Sequence, residues 1–323
     1  MGNLTTSLAQ SINSPDGNSL AIFKNANGEL DLKDVRGQIA PLSSYIIGGS
    51  SPFKFNANGN GILPTNGTNT NNCAYSTIGG GKNNTICLNY GFIGAGFSNN
   101  AGYGSFVGSG HSNCSNGNYS FIGAGYNNLS CSGSTVVAGG RFNSSTQIYS
   151  TIGGGSGNVS SDNASTIAGG YYNVASGIYS SVLGGAYNQA TGRISVVGGG
   201  QCNVASSCGS FVVGGKFNNA SGYYSGIIGG YTNCVNSFYA LIGNGTLNKA
   251  FGSRSFVGNG YCNQVFGNIS SIVNGYTNII DASCSTIVGG VFNKVFSNSA
   301  LSFIGGGTNN IIDTCGASAG SII

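Results

Sequence analysis

Residues Ala175 to Gly200 read ASGIYSSVLGGAYNQATGRISVVGGG, and within them Ser180-x-Val182-x-Gly184-Gly185 returns fifteen residues later as Ser195-x-Val197-x-Gly199-Gly200. Working outward from this pair, the β-branched residue before the glycines recurs from Ile78 to Ile304, giving 16 repeats of 15 residues, with one 14-residue step at Val107 and one 17-residue step at Ile304. Three residues after each such anchor stands Gly, from Gly81 to Gly307, and six after it stands Asn, from Asn84 to Asn310. Eight after it is a small or apolar residue, as at Ala190 and Ala205, and two before it is nearly always Ser or Thr. The idealised unit is S-x-(I/V)-x-G-G-x-x-N-x-A-x-G-x-Y.

A period of 15 is too short for a helical hairpin, and its β-branched residues punctuated by Gly and Asn predict two short strands and two turns per unit. The fold class expected is all-β, a parallel β-solenoid or β-roll of 16 coils. Equivalent residues would then stack about 4.8 Å apart, the distance between hydrogen-bonded strands. On this reading the Ile/Val ladder is the inner core, the invariant Gly sits where φ is positive or backbones approach closely, and Asn takes the left-handed region and bonds from coil to coil. A single coil buries too little to stand alone, so stability comes from neighbours.

Composition agrees with an ordered but unusual chain. Of 323 residues 59 are Gly, only 4 are Pro and 6% are charged, yet 40% are hydrophobic and 11% aromatic, which excludes collagen and charge-rich disorder. Lys82, Arg141, Arg193, Lys216, Lys249, Arg254 and Lys294 are scattered singly, without the clustering that nucleic acid requires. No apolar run is long enough to span a bilayer, so no membrane insertion is expected. The N-terminus lacks a signal-peptide pattern, which suggests assembly in a cytosol, and its MGNLTT start is a weak myristoylation match.

The domain organisation expected is an N-terminal attachment region (1–72), a repeat rod (73–313) and a short tail (314–323). Residues 20–47 alternate apolar positions around an Asn-Gly turn signal, and four of the seven acids, Asp16, Glu29, Asp31 and Asp34, lie in this opening part. Ile47-Gly48-Gly49 reads as a decayed coil, and Asn56 to Asn72 as a Gly/Asn loop without a regular pattern.

The quoted stretch resembles the head repeats of trimeric autotransporter adhesins of the YadA type, whose units run A-x-G-x-x-S-x-A-(I/V)-G, and the likeness extends over about residues 73–313. That resemblance implies a β-roll packed as a parallel homotrimer. The unit here is 15 rather than about 14 residues, and no coiled-coil stalk or membrane-anchor barrel is present in the sequence. The IGGGxxN repeats also resemble tail or head fibre proteins of phages and large viruses. This likeness implies a virion component, mounted on a tail or capsid protein through the N-terminal region, that spaces or presents a surface for a host glycan or receptor. The alternative expected is a self-assembling extracellular filament or a cell-surface adhesin subunit; an ice-binding solenoid would need a more regular Thr array.

Chemistry-bearing residues are few. His111 is the only His and Glu29 the only Glu, while Asp162, Asp281 and Asp313 lie at different phases or far apart. The GxG strings lack the following helix of a nucleotide loop. No catalytic, cofactor or metal site is expected, and no enzyme. None of the ten cysteines forms a CxxC pair; Cys202 and Cys262, like Cys87 and Cys131, are several coils apart, too far for a disulfide. Asn113, Asn128, Asn143, Asn158 and Asn219 head glycosylation sequons, although the turn already demands Asn at these positions. Phe97, Tyr126, Tyr171, Tyr231, Tyr261 and Tyr276 follow the invariant Gly and read either as packing between coils or as an exposed aromatic ladder for sugars.

Overall fold

In a computed structural model, residues 10–13, 19–24, 30–33, 39–41, 53–56, 59–65 and 68–313 are described, and among them every element is a strand or a turn. The chain divides into two compact units. The first contains a four-stranded antiparallel sheet in the order β1 (Gln10–Asn13), β2 (Ser19–Lys24), β3 (Leu30–Lys33) and β4 (Ile39–Pro41). Lys24 pairs with Leu30 across the segment holding the Asn-Gly signal, which itself lies outside the described residues, as do Ile47-Gly48-Gly49.

The second unit is the parallel solenoid. Val182 pairs with Ile167 on one side and Val197 on the other, and Ala190 likewise joins Ala175 and Ala205. Each coil therefore repeats the backbone of its neighbours in register. A third line of parallel bridges, unforeseen in the two-strand unit, runs through the residue after the invariant Gly, from Lys82 to Thr308. Three bridged lines per coil leave the corners, not the sides, to the turn residues.

There are 17 coils rather than 16, because the segment read as an irregular loop forms one more. Ile62 pairs with Thr77, and Thr70 and Asn71 pair with Thr85 and Ile86. Leu63 takes the buried anchor place, and Asn69 joins the asparagine column by accepting from the Asn84 N–H at 2.9 Å. At about 4.8 Å per coil the solenoid is roughly 80 Å long.

Four residues of each coil point inward: the anchor, the Asn, the small residue and the Ser two before the anchor. Val182, Asn188, Ala190 and Ser195 are all fully buried. The small column changes along the rod, from Ser115, Ser130, Ser145 and Ser160, through Ala175 to Ala220, to Val265, Ile280 and Val295. Where it is Ser, the two hydroxyls of a coil satisfy each other, as Ser145 and Ser150 do at 2.6 Å. Where it is Ala, the remaining Ser closes its own turn, Ser195 Oγ donating to the Gly192 carbonyl at 2.7 Å. These arrangements keep most buried hydroxyls hydrogen-bonded, as burial requires, but Ser105 and Ser255, beside Ala101 and Ala250, and Ser302 are buried without a partner.

The asparagine column is the polar spine, and its conformation corrects the sequence reading. The left-handed residue is not the Asn but the one before it, for example Tyr172, Tyr187, Cys202 and Phe217, at φ between 49° and 57°. A second left-handed column lies three before the anchor, at Tyr149, Tyr179, Ile194 and Tyr224 among others. Most strand amides donate to the following coil, as Gly79 does to Ile93. The left-handed residues turn theirs back to the preceding coil, Tyr187 to Tyr171 and Ile194 to Ile178. Such backbone costs L-residues about 1–2 kcal/mol each, and the reversed amide bond is what compensates. The invariant Gly does have positive φ, 83° at Gly185, and a Cβ there would land on the carbonyl oxygen of Gly200.

Candidate binding surface

With the interior occupied by apolar, amide and hydroxyl groups, any function must lie on the outward columns. His111 is exposed in the third bridged line, with its ring 5.0 Å from Phe97 and 5.1 Å from Tyr126, both edge-on. It is a rung of an aromatic ladder. Asp162 caps its own turn, accepting from the Asn163 N–H at 2.7 Å. Asp281 and Asp313 share a column, with Phe296 between them, because Ile280, Val295 and Ile312 are in register. Two coils set them about 10 Å apart. Asp281 faces Lys294 at 3.7 Å and Asp313 accepts from Asn298 at 3.1 Å, so neither is aimed at a shared centre.

Among the described residues no group of three His, Cys, Asp or Glu side chains could hold a metal. The nine described cysteines are unpaired, and Cys315 lies outside the described residues. Burial, with a contribution from Cys131 and Cys87 nearby, pushes the Cys114 thiol above its ordinary value; burial does the same for Cys131, and for Cys234 against the opposing pull of Lys249. These thiols stay protonated at neutral pH and are poor nucleophiles. Four of the sequon asparagines, Asn113, Asn128, Asn143 and Asn158, belong to the buried spine and offer no amide to a glycan, whereas Asn219 is exposed.

The aromatic positions singled out in the sequence, Phe97, Tyr126, Tyr171, Tyr231, Tyr261 and Tyr276, are each a little under half exposed. They also pack between coils: Tyr261 stacks on Tyr276 at 5.1 Å, and Tyr126 meets Phe142 edge-on at 5.2 Å. A second set, at the left-handed corner, escaped the sequence reading as a surface. Tyr75, Tyr119, Tyr149, Tyr179 and Tyr239 are more than half exposed there. Tyr75 stacks on Tyr90 at 5.5 Å and Tyr224 on Tyr239 at 5.8 Å, within 10° of parallel. Within these two pairs the rings cover one another's faces and turn edges and hydroxyls outward, whereas Tyr119 meets Tyr103 edge-on at 5.6 Å. Such a surface suits hydrogen bonding to a polar partner better than the ring-face contact a sugar uses on a flat platform.

Comparison with known proteins adds no identity: no family model matches the chain, and no curated protein matches it.

Proposed function

We propose that the chain is a non-enzymatic structural fibre, a virion or cell-surface rod that spaces or presents a hydroxyl-rich surface to a host glycan or receptor. The observation that carries this reading is the unbroken bridging of 17 coils in register, which makes a stiff strut roughly 80 Å long out of a surface almost without charge. The resemblance to viral fibres and trimeric adhesin heads supports the same role, with three copies per fibre and the segment before the first coil as the attached end. Clustered charges at 16–36 offer that end the distinctive, non-repeating surface a socket needs to set register.

Electron microscopy of the source material, with the repeats marked by antibody, tests it. Short marked rods on particles or cells are expected, and a chain lacking residues 1–45 should leave the surface bare. Continuous marked filaments would replace the strut with a self-assembling fibre, and label confined to the cell interior would overturn both.

A further inference from the structure

Two residues after the anchor, just before the invariant Gly, the repeat carries Gly, Ala or Ser from Gly80 to Gly306 in every coil except three. Those three are consecutive: Asn244, Asn259 and Asn274 follow Ile242, Val257 and Ile272. All three side chains are exposed. The fold does not ask for them, because coils with Gly184, Gly199 or Gly214 at this place bridge their neighbours in the same register.

Each amide is held in one orientation. Its Oδ1 accepts the N–H of the following Gly, at 2.7 Å in Asn244 and Asn274 and at 2.8 Å in Asn259. A backbone N–H only donates, so this bond turns the oxygen toward the corner and leaves Nδ2 as the outward end. Among the described residues no group accepts from any of the three Nδ2 atoms. The spine asparagines differ, since Asn248 gives its Nδ2 hydrogens to the carbonyls of Asn244 and Gly260.

Ile242, Val257 and Ile272 pair in register, so the three amides stand in a straight row at strand spacing, about 10 Å from first to last. The row has room around it. Gly229 and Gly289 hold the same place in the coils before and after, and Gly243 and Gly258 precede the first two amides. Two residues beyond the row, Tyr261 and Tyr276 stack at 5.1 Å, 10° from parallel and a little under half exposed, which turns their edges and hydroxyls outward beside it. Asp281, the one acid in these coils, lies nine residues after its anchor and faces Lys294.

A line of donors without an acceptor or a like charge suits a ligand whose outer atoms are acceptors only. An ionised carboxylate is acceptor-only, and its hydrogen bonds are about twice as strong as those of a neutral oxygen. A protein strand does not match the row, because its edge alternates N–H with C=O. Nucleic acid would call for Lys or Arg against its phosphates, and the row has neither. The rings of an extended acidic sugar chain do match it, as they recur at close to strand spacing.

We propose that Asn244, Asn259 and Asn274, flanked by Tyr261 and Tyr276, form a binding site for an extended, carboxylate-bearing glycan lying along the rod. Resting on the fibre reading for its setting, this site gives the rod's glycan a chemical class and a place. Titration calorimetry of the full chain with hexagalacturonate tests it, with cellohexaose as the uncharged oligomer of equal length. The acidic oligomer should bind, and the neutral one at least about tenfold more weakly. Asn259→Gly restores the corner of most coils, so it should melt within a few degrees of the parent and weaken hexagalacturonate at least about tenfold. Asn259→Asp keeps an oxygen for the Gly260 N–H but sets a carboxylate against the ligand's; it should abolish binding, and it decides if Asn259→Gly does not fold. Gln189→Ser removes an exposed amide from another line and should change nothing. Absence of hexagalacturonate binding, equal affinity for cellohexaose, or undiminished binding by the Asn259 variants overturns the proposal. A rod that stands on particles and binds neither oligomer would sink this inference alone, and acidic-glycan binding by a chain confined to the cell interior would sink only the fibre reading.

Discussion

Asn188 shows what one invariant residue does. Its Nδ2 donates to the Gly184 carbonyl of its own coil at 2.9 Å and to the Gly200 carbonyl of the next at 3.0 Å. Its Oδ1 accepts from the Asn203 N–H at 3.0 Å, and its own N–H donates to Asn173 Oδ1 at 2.9 Å. Asn188→Ala orphans the buried Asn203 N–H and the Gly184 carbonyl, while the Gly200 carbonyl keeps the Ala186 N–H, and should destabilise by about 2–4 kcal/mol. Asn188→Asp keeps the acceptor but turns a buried carboxylate toward two carbonyl oxygens. Burial raises the pKa of such a group in the fold, so the stability tied to its protonated form is present below about pH 4 and lost as pH rises through the raised value. Asn188→Asp should therefore melt further below the parent at pH 7 than at pH 4, and equal losses at both pH values would show that the donor bonds are not what the column needs. The column itself was legible, because an unvarying Asn at a fixed phase has few other uses. Its conformation was not. The left-handed places are filled by residues as different as Tyr, Phe, Cys, Ser, Leu and Arg, with Asn or Gly only here and there, so they leave no uniform mark in the sequence, and the direction of the amide bond explains why they are there.

Within a coil, length tolerance is concentrated in one corner. Between the small residue and the next buried Ser there are four residues in most coils, but three (Gly102 to Gly104) at the 14-residue step and six (Phe296 to Leu301) at the 17-residue step. Pairing is nonetheless kept on both sides, Ile93 with Val107 and Ile287 with Ile304. The segment from Gly200 to Asn203 has no such slack, since its carbonyls and amides are committed to the coils above and below. Deleting Ser206 should shift the melting temperature by only a few degrees, whereas deleting Cys202 should abolish the cooperative melt; comparable effects from both would mean that the coil has no preferred corner. The extra coil was hidden because Asn71 stands where the repeat wants a small residue, opposite Ile86. The third bridged line was hidden because a single-residue bridge sets no requirement on the side chain, so Lys82, Phe97 and His111 succeed one another freely.

At the scale of the whole rod, the absence of titratable groups from the inward columns fixes how stability responds to pH. Anchor, Asn, small residue and Ser cannot change charge between pH 4 and 9. The outward charges of the repeats are sparse, and the Lys294–Asp281 pair, about one-third exposed on each side, contributes at most a few tenths of a kcal/mol. The partly covered thiols remain. Cys114, Cys131 and Cys234 are held above their ordinary values chiefly by burial, so the fold favours their protonated forms. A raised folded value means that this contribution is complete below the unfolded thiol pKa of about 8.5 and is lost as pH climbs through the folded value. The same sparseness of ionisable groups that left the sequence silent about chemistry thus predicts a flat stability profile. Thermal melts of the repeat region followed by circular dichroism should give one melting temperature from about pH 4 to pH 8 and a decline above about pH 9. A fall between pH 6 and pH 4 would instead require carboxylates that stabilise the rod, and Asp162, Asp281 and Asp313, on its surface, would be the three to replace by Asn.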